Sequence, residues 1–316
     1  MRTKLTNSFA VAFCGLLICG LPTSLRGQSE PVEVTRTVLN QSYDLYPKYT
    51  KGDKDYFSFE IAFSYLQPGG AILGQERAKG YFTQEVTGLR PDGAPVFRVV
   101  RHHTDLWVTD KDGKQAPAQR LDFIEGHTYE VCFEDGFPVF PLRTADFPST
   151  SAGFMALENI YVSQQYFQTM MTKTHGGIDQ LRKIGTKIII PDSGRKGVVE
   201  MGPEVSIEIN RGRSTLEFQG IGEHQGQPAA VLAFDVLYLL KVPRHLGGRK
   251  NGEAREFLRG IVWASLKDGK VLGGYINTEA LVAYRDNDGK LQPSEAVFAG
   301  TLERLSEQEY LQETAK

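Results

Sequence analysis

The sequence predicts a mainly β protein, built from curved antiparallel sheets in a half-barrel meander with one central helical segment and a short C-terminal helix. Three observations predict this fold class. Several runs alternate apolar and polar residues with a period of two, tight-turn signals separate these runs, and only one long stretch has helical spacing. Strands do not alternate with helices along the chain, which excludes a parallel βαβ fold.

Residues 1–28 have the features of a signal peptide. Two basic residues precede an apolar run from Phe9 to Leu21, which has the length of a signal-peptide core. The run is shorter than the roughly 20 residues that a membrane-spanning helix needs. We therefore expect export to the periplasm or out of the cell, with a peripheral position at the outer membrane as an alternative. Lipidation of Cys19 is disfavoured, because a bulky isoleucine precedes it.

The composition limits the partners that this chain can have. The full chain has a formal charge of −2, and loss of the three basic residues of the signal peptide changes this to −5. Such a chain lacks the basic field of a nucleic-acid-binding protein, so no nucleic-acid partner is expected. Cys132 is the one cysteine outside the signal peptide, which excludes an internal disulfide. No other apolar stretch is long enough for a transmembrane span.

A first antiparallel β region is expected at residues 29–150. Its clearest strand is YFSFEIAFSY, in which apolar side chains share one face and polar side chains the other. The apolar face consists of Phe57, Phe59, Ile61, Phe63 and Tyr65. The run TYEVCF alternates in the same way. The pairs Asp92-Gly93 and Asp112-Gly113 supply the residues that tight hairpin turns require.

A helical connector is expected at residues 151–185. Apolar residues recur there at steps of three and four, which places them along one side of a helix. The stripe consists of Phe154, Leu157, Ile160, Tyr161, Phe167, Met170 and Met171. Gln165 and Gln168 lie on its polar face, and Gly176-Gly177 end the pattern.

A second antiparallel β region, with a short terminal helix, is expected at residues 186–316. The run AAVLAFDVLYLLKV is apolar on both faces, which predicts a central strand covered on both sides. The run GIGEHQG lies between two strands, so it is interpreted as a hairpin turn and not as a nucleotide-binding loop. Asp268-Gly269 and Asp288-Gly289 mark further turns. Ser306 and Glu309 have the spacing of a capping box, which predicts the start of the terminal helix.

The sequence contains no local motif of a known catalytic or metal site, and no cofactor is expected. The weak metal candidates are His103 and Asp105, which are two residues apart on a strand and therefore share a face. His102 is expected on the opposite face. Two ligands are too few for a structural metal site, so no metal is expected.

Three segments resemble a loosely defined family of secreted bacterial all-β envelope proteins, half-barrel-like and of unassigned function, many of them lipoproteins. The segments are YPKYTKGDKDYFSFEI, GYFTQEVTGLRPDGAPVFRV and GHTYEVCFEDG. Lys51-Gly52-Asp53 leading to Tyr56 is similar to a strand start of this family, and Asp92-Gly93 to a later turn. The resemblance covers most of residues 38–285. It implies a curved sheet that wraps a helix over an apolar hollow, and it supplies no catalytic residues.

These features favour a non-enzymatic protein of the cell envelope that binds an apolar, lipid-like ligand under a helical lid. The candidate ligand-binding residues come from the clearest strand and from the helical stripe: Phe57, Phe59, Phe154, Tyr161, Phe167, Met170 and Met171. Methionine suits such a lid because it adapts to irregular partners.

Three alternatives stay open at this point. The helix is ordinary core and nothing binds, or the protein is a structural or protein-interaction module that meets another envelope protein through a strand edge or the GGRKNGEAR loop. The third alternative is a hydrolase in which His103 or His175 joins carboxylates from distant strands.

Overall fold

The structure is a computed structural model and describes residues 41–66, 71–122, 125–134, 137–143, 178–190, 196–202, 205–244, 250–285 and 291–315. The strands of these ranges are β1 (Lys54–Leu66), β2 (Ile72–Leu89), β3 (Pro95–Thr109), β4 (Gln119–Arg120), β5 (Thr128–Glu134), β6 (Phe137–Arg143), β7 (Lys187–Ile190), β8 (Lys196–Gly202), β9 (Val205–His224), β10 (Gln227–Arg244), β11 (Lys250–Ser265), β12 (Val271–Arg285) and β13 (Leu291–Leu305). A 3₁₀ turn covers Ile178–Gln180, and helix α1 covers Glu307–Thr314.

The strands form one antiparallel sheet that is curved and unclosed, which confirms the predicted β class. The strand order is β6-β5-β3-β2-β1-β13-β12-β11-β10-β9-β7, with β4 beside β3 and β8 beside β9. The first and the last strand pair along almost their full length, from Tyr56 opposite Leu305 to Leu66 opposite Glu295. The expected β regions 29–150 and 186–316 therefore contribute strands to the same sheet.

Several local predictions are confirmed. Gly93, Gly113 and Gly269 have φ values of 82°, 81° and 71° at the predicted turns. The run GIGEHQG is a hairpin turn between β9 and β10, in which Gln225 and Gly226 both have positive φ. The capping box at the start of α1 is present, because the Ser306 and Glu309 side chains each bond the other residue's backbone N–H.

Other predictions lie wholly or partly outside the described residues. This applies to the signal peptide, to the turn at Asp288-Gly289 and to positions 151–177 of the helical connector. The described end of the connector begins with the 3₁₀ turn, in which Ile178 is fully buried.

The prediction that β10 is covered on both faces is wrong in part. Leu232, Phe234 and Val236 are buried on one face, while Val231 and Leu237 on the other face are only half-buried. The apolar residues of this second face pack sideways on cross-strand neighbours, as Val231 does opposite Trp263 and Leu237 opposite Phe257. An apolar residue therefore does not require a covering layer on that face.

The buried face, here called the inner face, carries one continuous apolar cluster that includes residues of both β regions. Two cross-strand pairs on this face permit the sheet to curve. Phe59 lies opposite Gly80, and Phe234 lies opposite Gly260. Each phenylalanine ring occupies the space that a side chain would need at the glycine position. A Cβ on Gly80 would lie 2.7 Å from Phe59, and one on Gly260 would lie 2.5 Å from Phe234. Glycine in a strand permits a sharp bend, and a neighbouring aromatic ring restores the lost packing.

We expect Gly260→Ala to lower the free energy of unfolding by about 1–3 kcal/mol, because the added methyl group overpacks the inner face. It would collide with the Phe234 ring and with the backbone oxygen of Tyr275. Gly88→Ala is the matched control, since no atom lies within 4 Å of its Cβ position. Chemical denaturation of both variants checks the prediction, and equal stability of the two variants would contradict it.

Candidate functional site

Two of the predicted ligand-binding residues lie within an aromatic group on the inner face. The Phe57 and Phe82 rings stack with their centroids 5.0 Å apart, and Phe59 lies 6.5 Å from Phe82. Both Phe57 and Phe59 are buried in the apolar cluster. The other five candidates lie outside the described residues: Phe154, Tyr161, Phe167, Met170 and Met171.

Sequence analysis missed a buried arginine within this group. Arg101 of β3 is 0% exposed, and its guanidinium lies 5.4, 5.3 and 5.9 Å from the ring centroids of Phe59, Phe82 and Tyr129. It also donates a 3.3 Å hydrogen bond to the Tyr129 hydroxyl. Aromatic faces attract a guanidinium through their quadrupole, and arginine keeps its charge when buried. A signal was available in the alternation of β3: Phe97, Val99 and Arg101 are two residues apart, so the arginine lies on the apolar side of the strand.

A segment at residues 43–53, here called the N-terminal strap, crosses the inner face. At one end the Tyr43 ring meets Phe218 of β9, with centroids 5.6 Å apart. At the other end the Tyr49 ring meets Phe97 of β3 at 5.0 Å. A flat sheet would place β3 and β9 roughly 34 Å apart, while the six residue steps from Tyr43 to Tyr49 span at most about 20 Å. The curvature of the sheet brings both strands within reach of the strap.

The strap is fixed midway by the turn between β11 and β12. The backbone N–H of Lys48 donates to the Asp268 oxygen at 2.8 Å. A Cβ on Gly269 would lie 2.6 Å from the Tyr46 oxygen, so only glycine lets the strap approach this closely. The positive φ of Gly269 also favours glycine, because residues with a side chain rarely adopt it.

A buried ionic group lies beneath the strap. Lys270, which is 8% exposed, binds Asp53 at 2.7 Å and lies 5.0 Å from the centroid of the Tyr49 ring. Its hydrogen bond is the main reason that the pKa of Asp53 falls to about 2. The neighbouring Asp55 pairs with Arg304; burial raises the pKa of Asp55, and the arginine opposes this shift.

Asp53→Asn tests this group, because it leaves the Lys270 charge buried without its carboxylate. We expect the free energy of unfolding at neutral pH to fall by about 1–3 kcal/mol. The pKa of Asp53 is lowered by folding, so its contribution is present above the unfolded pKa of about 3.9 and is lost as the pH falls through the folded value of about 2. The difference between wild type and variant should therefore shrink between about pH 4 and pH 2.

Asp44→Asn is the matched control, because Asp44 forms an exposed ion pair with Lys48 and such pairs contribute little. Thermal unfolding across this pH range measures both variants. A difference for Asp53→Asn that stays constant with pH would contradict the role assigned to the Asp53–Lys270 pair.

On the opposite face, here called the outer face, a β-bulge overturns the expected placement of His102. Tyr81 pairs with His102 and Gly80 with Thr104, so His103 is an extra residue in β3. A bulge breaks the alternation of side chains. His102 and His103 therefore both contact an outer-face aromatic group, which consists of Tyr56, Tyr81 and Tyr310. The ring centroids of His102 and Tyr310 are 5.8 Å apart, and those of His103 and Tyr81 are 6.3 Å apart.

The two metal candidates do share a face, with Nε2 of His103 2.9 Å from the Asp105 carboxylate. His102 forms a separate pair with Glu125 at 3.2 Å. Within the described ranges, no three histidine, cysteine or acidic side chains converge in a way that would hold a metal ion. A histidine–carboxylate pair can also orient an imidazole for proton transfer.

Helix α1 packs on this aromatic group through tyrosine–carboxylate hydrogen bonds. The Tyr56 hydroxyl donates to Glu307 at 2.6 Å, and the Tyr81 hydroxyl donates to Glu313 at 3.0 Å. The bond to Glu307 raises the pKa of Tyr56 to about 12, and burial together with Glu313 raises the pKa of Tyr81 to about 12. Both hydroxyls thus stay protonated donors. Tyr310 is buried between them, and its hydroxyl has no hydrogen-bond partner among the described residues.

Tyr81→Phe and Tyr310→Phe should change the free energy of unfolding in different directions. Tyr81→Phe removes a hydrogen bond to a carboxylate and should cost about 1 kcal/mol of unfolding free energy. Tyr310→Phe removes a buried hydroxyl that makes no bond, so stability should be unchanged or rise by up to about 1 kcal/mol. Chemical denaturation of both variants decides this, and a clear loss in Tyr310→Phe would show that its hydroxyl is satisfied.

The outer face also contains an open groove of about 380 Å³ over β9, β10, β11 and β12. Two ion pairs line it, Lys187–Glu217 at 3.3 Å and Asp235–Arg259 at 3.4 Å. Tyr275 of β12 forms part of the wall. Sequence analysis did not predict this groove, because its residues come from five strands and share no local motif.

A further histidine pair lies beside the groove. His224, the last residue of β9, binds Glu303 of β13 at 2.8 Å and stacks on Trp263 with centroids 4.5 Å apart. A Cβ on Gly273 would lie 2.6 Å from Nε2 of His224. Glycine at position 273 therefore leaves room for the His224 ring over β12.

The sequence matches no protein family and no curated protein. Among solved structures it is similar to lipovitellin, studied for its lipid–protein interactions, with 10% identity, a TM-score of 0.41 and 82% of this chain covered. The chain spans about a quarter of lipovitellin, 26% of its length. A candidate lipoprotein from Parabacteroides distasonis matches over 84% of this chain and 100% of its own, with 10% identity and a TM-score of 0.21.

Pseudomonas aeruginosa OpdQ matches over 81% of this chain and 99% of its own, with 8% identity and a TM-score of 0.19. At these scores the similarities do not assign a function. Among the described residues, no helix combines the length and the apolarity that crossing a membrane requires.

Proposed function

We propose that this protein is a non-enzymatic binding protein of the cell envelope, which holds an apolar, lipid-like ligand against the inner face of its curved sheet. The observation that carries the proposal is the continuity of the apolar cluster across this face, from Phe97 in β3 to Phe218 in β9. An apolar surface of this extent on an unclosed sheet needs an apolar cover. The strap supplies part of that cover.

The connectivity of the chain supports a lid as the remaining cover. β6 and β7 are the terminal strands of the sheet order, and residues 144–186 join them. This joining segment contains the apolar stripe that the sequence predicts as a helix. At its end, Ile178 and Leu181 are fully buried in the inner cluster. A lid that starts at one edge of the sheet and ends against its inner face fits this connection.

The proposed ligand lies between the two sets of predicted residues. Phe57 and Phe59 supply the sheet side, while Phe154, Tyr161, Phe167, Met170 and Met171 supply the lid side. Because methionine side chains adapt to irregular shapes, such a lid suits an acyl chain better than a ligand with one rigid outline. The envelope location rests on the signal-peptide features of residues 1–28.

Phe167→Asp tests this proposal, since it puts a charge on the apolar stripe. The probe is a fluorescent fatty acid, added to full-length protein from which lipid has been extracted with solvent. We expect saturable binding to wild type and loss of binding in Phe167→Asp. Gln165→Asp on the predicted polar face is the matched control and should bind like wild type.

Thermal unfolding shows whether each variant is folded. If Phe167→Asp does not fold, Phe167→Ala replaces it and should bind the fatty acid more weakly. Absence of saturable binding to the wild-type protein would overturn the proposal. Wild-type binding together with wild-type melting in Phe167→Asp would also overturn it.

A further inference from the structure

We propose that the outer-face groove is a second binding site, which takes a neutral, hydroxyl-rich ligand of the saccharide class. The groove is open to solvent and measures about 380 Å³, within the range of small-molecule sites. It lies on the face opposite the apolar cluster, so its ligand is independent of the lipid-like ligand proposed above.

The charges of the groove favour a neutral ligand. Its wall carries two cations, Lys187 and Arg259, and two anions, Glu217 and Asp235, each cation paired with an anion. The net charge of the lining is therefore zero, which provides no driving force for an anion or a cation. The four groups still offer hydrogen-bond donors and acceptors side by side, and bonds to charged groups are the stronger ones.

The neutral polar groups of the wall complete a pattern suited to hydroxyl groups. Asn277 has an amide that donates and accepts, and Thr215 has a hydroxyl that does both. The Thr215 hydroxyl donates to Asp235 at 3.3 Å, so it can also accept a bond from a ligand. A hydroxyl group likewise donates and accepts, so a ligand with several hydroxyls can match adjacent positions of both kinds.

An apolar floor and an aromatic wall provide the other half of saccharide recognition. Ala233 lies between Glu217 and Ile261 on neighbouring strands. Because its side chain is small, it does not fill the groove. Tyr275, opposite Ile261, is 38% exposed and offers a ring face to the C–H surface of a sugar. Tyrosine combines an apolar body with a polar tip, which suits a ligand of the same dual character.

Trp263 provides the readout, because its ring lies 6.1 Å from Tyr275. The chain has two tryptophans, so the experiment uses full-length protein with Trp107→Phe, in which Trp263 is the remaining tryptophan and is excited selectively over the tyrosines. The probes are maltose, cellobiose and di-N-acetylchitobiose, with inorganic phosphate and spermidine as charged comparisons. We expect at least one saccharide to shift the Trp263 emission saturably, and the two ions to leave it unchanged.

Tyr275→Ala and Asn277→Ala should each weaken that saccharide at least tenfold. Leu281→Ala is the matched control: this residue is 59% exposed on the same strand and the same face, outside the groove, and should leave the affinity unchanged. Circular dichroism checks that each variant is folded, and calorimetry repeats the titration without the fluorescent reporter.

The proposal is overturned if none of the saccharides binds, if phosphate or spermidine binds in their place, or if Tyr275→Ala and Asn277→Ala bind like wild type. Titration of lipid-extracted protein and of fatty-acid-loaded protein separates this result from the inner-face proposal. Saccharide binding that is equal in both preparations supports a site of its own on the outer face.

Discussion

The curvature of the sheet is the constraint on which the other features of this structure depend. Glycine permits it where an aromatic ring on one strand fills the space above the next, as Phe59 does with Gly80 and Phe234 with Gly260. One such pair lies in each β region. Because β3 and β9 approach each other across the inner face, a strap of a few residues contacts both strands and shields the apolar cluster from water. A flat sheet of the same sequence would expose that cluster.

The buried charges reinforce this arrangement, because each joins segments that are distant in sequence. Lys270 connects the turn between β11 and β12 to Asp53 at the end of the strap, and Arg304 of β13 pairs with Asp55 in β1. Buried ions are costly unless they are paired, so the group is stable only when strap, first strand and last strand are all in place. The ionic group thus joins three segments of the chain that are far apart in the sequence.

Sequence analysis predicted the features that depend on local rules. The alternation in β1, the turns at Gly93, Gly113 and Gly269 and the capping box at Ser306 each follow from a few neighbouring residues, and the described part of the chain contains all of them. It failed where distant strands decide the outcome. The bulge at His103 results from the register in which β2 pairs with β3, so period-two alternation could not place the two histidines. The groove needs Ala233, Arg259 and Tyr275 in register, which no single stretch of sequence reveals.

The inner face and the groove share two residues of the sheet. Phe234 and Gly260 bend the sheet on its inner side, and the same two residues form part of the groove on its outer side. The backbone oxygen of Tyr275 packs against Gly260, so any change of curvature there moves a wall of the groove. The Phe234 side chain lies in the apolar cluster of the inner face, while the groove opens on the opposite face, so the two proposed ligands make no contact. A larger residue at position 260 would nevertheless disturb both faces, because its Cβ would collide with the Phe234 ring and with the backbone oxygen of Tyr275.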